Sequence, residues 1–221
     1  MARSDAHLVW DWNGTLFQDM DAVLAATNAA FAELRMPGLR PLTIERYREL
    51  YRVPVPEFYE TLLGRAPTAA EWERMDGAFQ RHYAEARLGC GLAEEARTVL
   101  GAWREAGHGQ SLLSMYGHEE LVPLVRGFGI EAYFLRVQGR TGPAGGGKSA
   151  HLVRHLARLP EVDPARTVVI GDAADDAVAA LAAGARAVLY TGGSHSRRSL
   201  EAVGVPVADT LREAVERAAE L

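Results

Sequence analysis

The hydrophobic pattern changes character twice along the chain. Near the N-terminus, His7-Leu8-Val9-Trp10 is an apolar run without alternation, followed by Asp11, Trp12, Asn13 and Gly14. That predicts a short parallel strand buried on both faces and closed by a turn. After Leu16 the pattern becomes helical, with no strand-like alternation. Helices are predicted over 19–34, 43–51, 56–63 and 68–86, separated by Pro37-Gly38, Arg40-Pro41, Gly64 and Ala66-Pro67. Beyond Leu92 helices alternate with strands: helix 93–106, strand 110–114, helix 118–128, strand 133–137, a glycine-rich loop 139–147, helix 149–159, strand 167–171, helix 175–183, strand 187–190 and two closing helical segments around Val207. Such alternation predicts an α/β fold, a doubly wound parallel sheet covered by helices. The helical stretch reads as an insert, giving a core of 1–16 and 89–221 and a small helical domain at 17–88.

In open α/β sheets, ligands sit beyond the carboxyl ends of the strands. Four chemically active groups fall at such ends: Asp11, Ser114, Lys148 after the glycine-rich loop, and Asp172 with Asp175 and Asp176 opening the next helix. Gly14 permits a tight turn whose backbone N–H groups can face an anion, and Thr15 adds a hydroxyl. Singly each has an ordinary explanation. Ser114 or Asp175 could cap a helix, and Asp176 could complement a helix dipole. Together they form a nucleophilic carboxylate, a hydroxyl, an ammonium and a carboxylate pair, the groups needed to transfer a phosphoryl group beside a hard divalent cation.

Composition sharpens this picture. The net charge of −5 offers no basic field for nucleic acid, and 48% apolar residues can fill a real core. The single cysteine, Cys90, excludes an internal disulfide framework and fits a reducing compartment. No apolar run approaches membrane-span length and no signal peptide is evident, so a cytoplasmic location is expected. Of the 24 basic residues only Lys148 is lysine. A compact ammonium at that position fits a small cavity that a guanidinium would not.

The order of motifs resembles the haloacid dehalogenase superfamily, whose aspartate-nucleophile phosphatases carry a DxDGT[LV] first motif. Here it reads Asp11-Trp12-Asn13-Gly14-Thr15-Leu16, followed by Ser114, Lys148 and Gly171-Asp172-Ala173-Ala174-Asp175-Asp176. The helical insert is similar to the type-1 cap of phosphoglycolate phosphatases and β-phosphoglucomutases. The resemblance implies a Rossmann-like core and a Mg2+ cofactor. It implies that Asp11 attacks phosphorus, that Asp11, the backbone carbonyl of Asn13 and Asp172 hold the metal, and that Asp176 supports the metal or orients Lys148. Ser114 and Lys148 would grip the phosphoryl oxygens, with Gly14 and Thr15 adding amide donors. The implied substrate is a small phosphorylated metabolite; nucleic acid and membrane are not expected partners.

Asn13 departs from the pattern. Family phosphatases place an aspartate there to protonate the leaving oxygen and then activate water. An amide can hydrogen-bond but cannot exchange a proton at neutral pH, so turnover should be slowed by about 10²–10⁴-fold, unless the donor lies elsewhere, the leaving group needs none, or the chain is a phosphate-binding or regulatory relative. A rival motif is Gly142-Pro143-Ala144-Gly145-Gly146-Gly147-Lys148-Ser149, which matches the nucleotide-binding P-loop. It leaves the first motif unexplained. Arg35, Arg40, Arg46, Arg48, Arg52 and Arg65 could meet an anionic substrate tail, but solvated helix faces explain most of them; Tyr51, Phe58 and Tyr59 read as core, and His118 and His195 as surface loop residues.

Overall fold

The computed structural model describes residues 6–142 and 147–221. Its centre is a six-stranded sheet in the order β5-β4-β1-β6-β7-β8, formed by β1 (His7–Trp10), β4 (Gln110–Gly117), β5 (Val137–Arg140), β6 (Thr167–Gly171), β7 (Arg186–Tyr190) and β8 (Val207–Ala208). All neighbours pair in parallel. Because strand side chains alternate between faces, β1 feeds two cores. Leu8 and Trp10 pack with Leu112, Ile170 and Val188 under α5 (Ala96–Glu105), α6 (His118–Gly127) and α10 (Leu211–Glu220). Val9 packs with Leu113, Val169 and Leu189 under α7 (Ser149–Leu156), α8 (Ala174–Ala182) and α9 (Arg197–Glu201). Burial on both faces is why these strands read as continuous apolar runs.

Between β1 and β4 lie α1 (Met20–Leu34), α2 (Ile44–Leu50), α3 (Val55–Leu63) and α4 (Ala69–Ala86). They bury a cluster of their own around Phe31, Tyr47, Phe58, Tyr59 and Met75. Thr68 starts α4 as a capping box: its hydroxyl accepts from Glu71 N, and the Glu71 carboxylate accepts from Thr68 N. Where the chain enters and leaves these helices, β2 (Phe17–Gln18) pairs antiparallel with β3 (Gly91–Leu92). Among the described residues no helix is long and apolar enough to cross a membrane.

Several elements differ from the sequence expectation. The strand expected at 133–137 is observed at Val137–Arg140, with Glu131–Tyr133 in a 3-10 turn. The backbone joins the β4 ladder before that strand begins, through Leu135 N to Gln110 O and Leu112 N to Arg136 O. Tyr133 and Phe134 instead pack against the core from outside the strand. Helix 93–106 begins only at Ala96, and helix 149–159 ends at Leu156. The closing region holds a strand, β8, between its two helices. β2 interrupts the all-helical reading of the stretch after Leu16. Residues 143–146, the middle of the P-loop match, lie outside the described residues.

Candidate active site

Placing β4, β1 and β6 side by side brings Ser114, Asp11 and Asp172 to one end of the sheet. Asp11 is the first residue beyond β1, fixed by its N–H donating to Ile170 O at 2.9 Å. Lys148 sits at the start of α7, where its backbone N–H donates to Asp175 Oδ2 at 3.0 Å. Its Nζ donates to Asp11 Oδ1 at 2.5 Å and to Asp176 Oδ1 at 2.6 Å. Lys148 is only 3% exposed and Asp176 only 2%. Between oxygens this close a three-donor ammonium fits and a planar guanidinium does not, which accounts for a lone lysine among arginines. Asp176 also accepts from Ala173 N at 3.0 Å, tying the ion pair to the first turn of α8.

Asp172 is held from two sides. Thr15 Oγ1 donates to its Oδ1 at 3.2 Å, and Ser194 donates to Oδ2 through its N–H at 2.7 Å and its hydroxyl at 2.6 Å. Gly14, at φ 68°, lets the turn after β1 approach this carboxylate; a Cβ there would lie 2.7 Å from Asp172 Oδ2. At Gly193 the corresponding clash is 2.2 Å. Both positions therefore require glycine.

Carboxylate oxygens of Asp11, Asp172 and Asp176 lie within 4.8 Å of one another. Burial pushes the Asp11 carboxyl up, with Asp176 and Asp172 adding to the rise against the pull of Lys148. Burial and Asp176 raise Asp172 to about 6, opposed by Ser194. For Lys148 burial works against the charge, but Asp11 and Asp176 more than offset it and the group stays an ammonium. Three buried carboxylates facing one ammonium leave excess negative charge. Hard oxygen donors at this spacing suit a small divalent cation such as Mg2+.

A family profile for haloacid dehalogenase-like hydrolases matches residues 6–184. The chain belongs to the haloacid dehalogenase-like hydrolases. A phosphoglycolate phosphatase of Cupriavidus necator is 29% identical over 178 residues, covering 79% of this chain and 75% of its own. One of Cereibacter sphaeroides is 29% identical over 202 residues, covering 84% and 85%. Among solved structures, a hydrolase from Pseudomonas syringae superposes with a TM-score of 0.77 at 18% identity, over 98% of this chain and 99% of that one. Membership of this family, shown over residues 6–184, does not favour the P-loop reading.

Elsewhere in this hydrolase the site departs from expectation. Asn13 does not turn its amide nitrogen toward Asp11. Nδ2 donates to Asp19 Oδ2 at 2.7 Å and to the Tyr83 hydroxyl at 2.9 Å. Tyr83 in turn donates to Asp19 Oδ2 at 2.6 Å, and Gly14 N donates to Asp19 Oδ1 at 2.8 Å. Asp19 is fully buried; burial raises its pKa, while the Tyr83, Asn13 and Gly14 donors pull it back. Ser114, at the expected sheet end, accepts from Tyr116 N at 3.0 Å and makes no hydrogen bond to Asp11 or Lys148 among the described residues. Asp175 is not an N-cap but lies inside α8.

Two expectations of surface character are corrected. Arg48 on α2 donates from Nε to Gly193 O at 2.8 Å and from Nη2 to Gly192 O at 3.1 Å, clamping the loop that carries Ser194. His195 is 4% exposed, packs edge-on against Tyr51, and is lowered to about 4 by burial. Sequence reasoning missed Asp19, Tyr83, Arg48 and Ser194 as site-shaping residues. Only Asp19, a carboxylate a few residues after the first motif, left a local trace.

Proposed function

We propose that the chain hydrolyses a small phosphate monoester in a magnesium-dependent reaction that passes through a phosphoryl group carried on Asp11. The observation that carries this reading is the Asp11 carboxylate at the end of β1 with the Lys148 ammonium at 2.5 Å and two further carboxylates beside it. The phosphoglycolate phosphatases among its relatives support a small phosphorylated metabolite as substrate. Asp11, Asp172, Asp176 and the Asn13 carbonyl would hold Mg2+, which when bound supplies charge compensation between the anionic nucleophile and the anionic substrate.

The chain's own groups do the rest. Asp11 attacks phosphorus, and Lys148 and Ser114 hold phosphoryl oxygens as charge moves onto them. Gly14 and Thr15 line the turn, and Asp176 keeps Lys148 in place. Helices α1–α4, over residues 17–88, act as a cap whose closure excludes water. The lone Cys90 supports a cytoplasmic setting.

Magnesium-dependent phosphate release from a panel of phosphorylated metabolites tests this, with Asp11→Asn as the blank. Release that needs magnesium and disappears in the blank is expected. Equal release by the blank would remove Asp11 as nucleophile and end the proposal.

A further inference from the structure

The hydrogen bonds around Asn13 dictate what this site can do for a leaving group. The amide nitrogen has two hydrogens, and both are used, on Asp19 Oδ2 at 2.7 Å and on Tyr83 at 2.9 Å. The opposite amide orientation would set Oδ1 against the Asp19 carboxylate, so the orientation is fixed by chemistry. What remains of Asn13 for a bound substrate is an acceptor, Oδ1. An acceptor can orient a water molecule but cannot hand a proton to a departing oxygen.

Most of the neighbouring donors are committed as well. The Tyr83 hydroxyl donates to Asp19 Oδ2. Asp19 receives three donors, from Asn13, Tyr83 and Gly14, and in that arrangement offers none. Thr15 and Ser194 both donate to Asp172. With the Ser194 proton on Asp172, the 3.1 Å contact between Ser194 Oγ and His195 Nδ1 requires the proton on Nδ1, directed at Ser194. Lys148 spends two of its three hydrogens on Asp11 and Asp176, and its third, like the Ser114 hydroxyl, is assigned above to phosphoryl oxygens and not to the leaving oxygen.

We propose, resting on the phosphatase reading above, that this chain is matched to phosphates whose leaving group departs as a weakly basic oxyanion: acyl phosphates and enol or aryl phosphates, in place of alkyl phosphates such as phosphoglycolate. Asp11 forms a bond to phosphorus as the bond to the leaving oxygen breaks. That oxygen keeps the electron pair and departs unprotonated, as a carboxylate, enolate or phenolate. Water oriented by Asn13 Oδ1 then attacks phosphorus, Asp11 leaves as its carboxylate, and both water protons depart on dihydrogen phosphate. No proton from the protein is consumed.

The test is the dependence of kcat/KM on leaving-group basicity, across substituted phenyl phosphates with acetyl phosphate and 2-phosphoglycolate as end members and Asp11→Asn subtracted as background. A steep fall with increasing basicity is expected, with acetyl phosphate favoured over 2-phosphoglycolate by at least about 10²-fold. The double variant Asn13→Asp/Asp19→Asn exchanges amide and carboxylate within the pair. It should flatten the dependence and speed the alkyl substrate by about 10²–10⁴-fold. A shallow dependence in the unaltered protein overturns the inference while leaving the phosphatase standing, and decides the matter even if the double variant does not fold. Absence of release from every substrate overturns both.

Discussion

Replacing Asn13 by Asp alone looks like a repair of the first motif, yet the structure predicts a cost. The new carboxylate would face Asp19 Oδ2 across the position where Asn13 Nδ2 now donates at 2.7 Å. Two unit charges at that separation repel by about 6 kcal/mol at an effective dielectric near 20. Taking up one shared proton is cheaper. Holding a carboxyl protonated at about pH 7, against an ordinary value near 3.9, costs about 4 kcal/mol, and that sets the ceiling on the penalty. The sign follows from linkage. The folded pair has a raised pKa, so between about pH 4 and that raised value the native state binds one more proton than the unfolded chain. Stability therefore falls as pH rises, by up to about 1.4 kcal/mol per pH unit, and the penalty vanishes near pH 4. Urea unfolding of both proteins at several values between about pH 5 and 8 measures it directly. An Asn13→Asp protein with the stability and pH slope of the parent would refute the Asn13–Asp19 contact, and with it the claim that both amide hydrogens are committed.

Other perturbations probe other parts of the site. Lys148→Met should abolish phosphate release and, in metal-free protein, cost about 3–5 kcal/mol because Asp11 and Asp176 lose their counter-charge; Lys148→Arg should not restore release, and full activity there would refute the steric argument. Behind the sheet, His7 and His155 both contact Ser111 Oγ at 2.8 Å, and burial lowers them to about 4 and about 3. The unfolded chain protonates them first, so stability should drop below about pH 6.5 by roughly 3 kcal/mol per histidine at pH 4; His155→Gln should remove about half of that slope in urea titrations, and an unchanged slope would refute it. Arg48→Ala frees the carbonyls of Gly192 and Gly193 and should raise the magnesium midpoint by about tenfold through loss of Ser194's hold on Asp172. Calorimetric titration giving an unchanged midpoint would show that the clamp does not reach the metal ligands.

The parts of the molecule legible in the sequence are those whose signal is local. β1 and β6 announce themselves as unbroken apolar runs because both faces are buried, and the alternation of strands and helices fixes the parallel sheet. The apolar pattern places β5 too early because Tyr133 and Phe134 carry the apolar signal while Gln138 and Arg140 carry the ladder. Strands of two residues, β2, β3 and β8, are too short to express any period. The same divide runs through the site. Asp11, Lys148, Asp172 and Asp176 are legible because each ends a strand or opens a helix. Asp19 reads locally as the start of α1, and Tyr83 lies 64 residues further on. Their contact exists only because the turn at Gly14 folds back and α4 returns over it.

That long-range contact changes the meaning of the helical insert. It meets the core at the loop after β1, through Tyr83 on α4 at Asn13; at residues 192–195, through Arg48 on α2 and Tyr51 just after it; and at the end of β4, where Tyr83 and Arg87 contact Tyr116. The first loop carries Asn13 and the turn glycine, Gly14. The second carries Ser194, whose two hydrogen bonds position Asp172. The first two anchors therefore lie within a few residues of groups proposed to hold phosphate or metal. Movement of the helices away from the sheet would have to break the Tyr83 and Arg48 bonds, releasing the Asn13 amide and the Asp172 clamp together. If these helices act as the proposed cap, the Tyr83 and Arg48 bonds couple its closure to the order of the site, so a substrate that favours the closed arrangement would also favour the organised one.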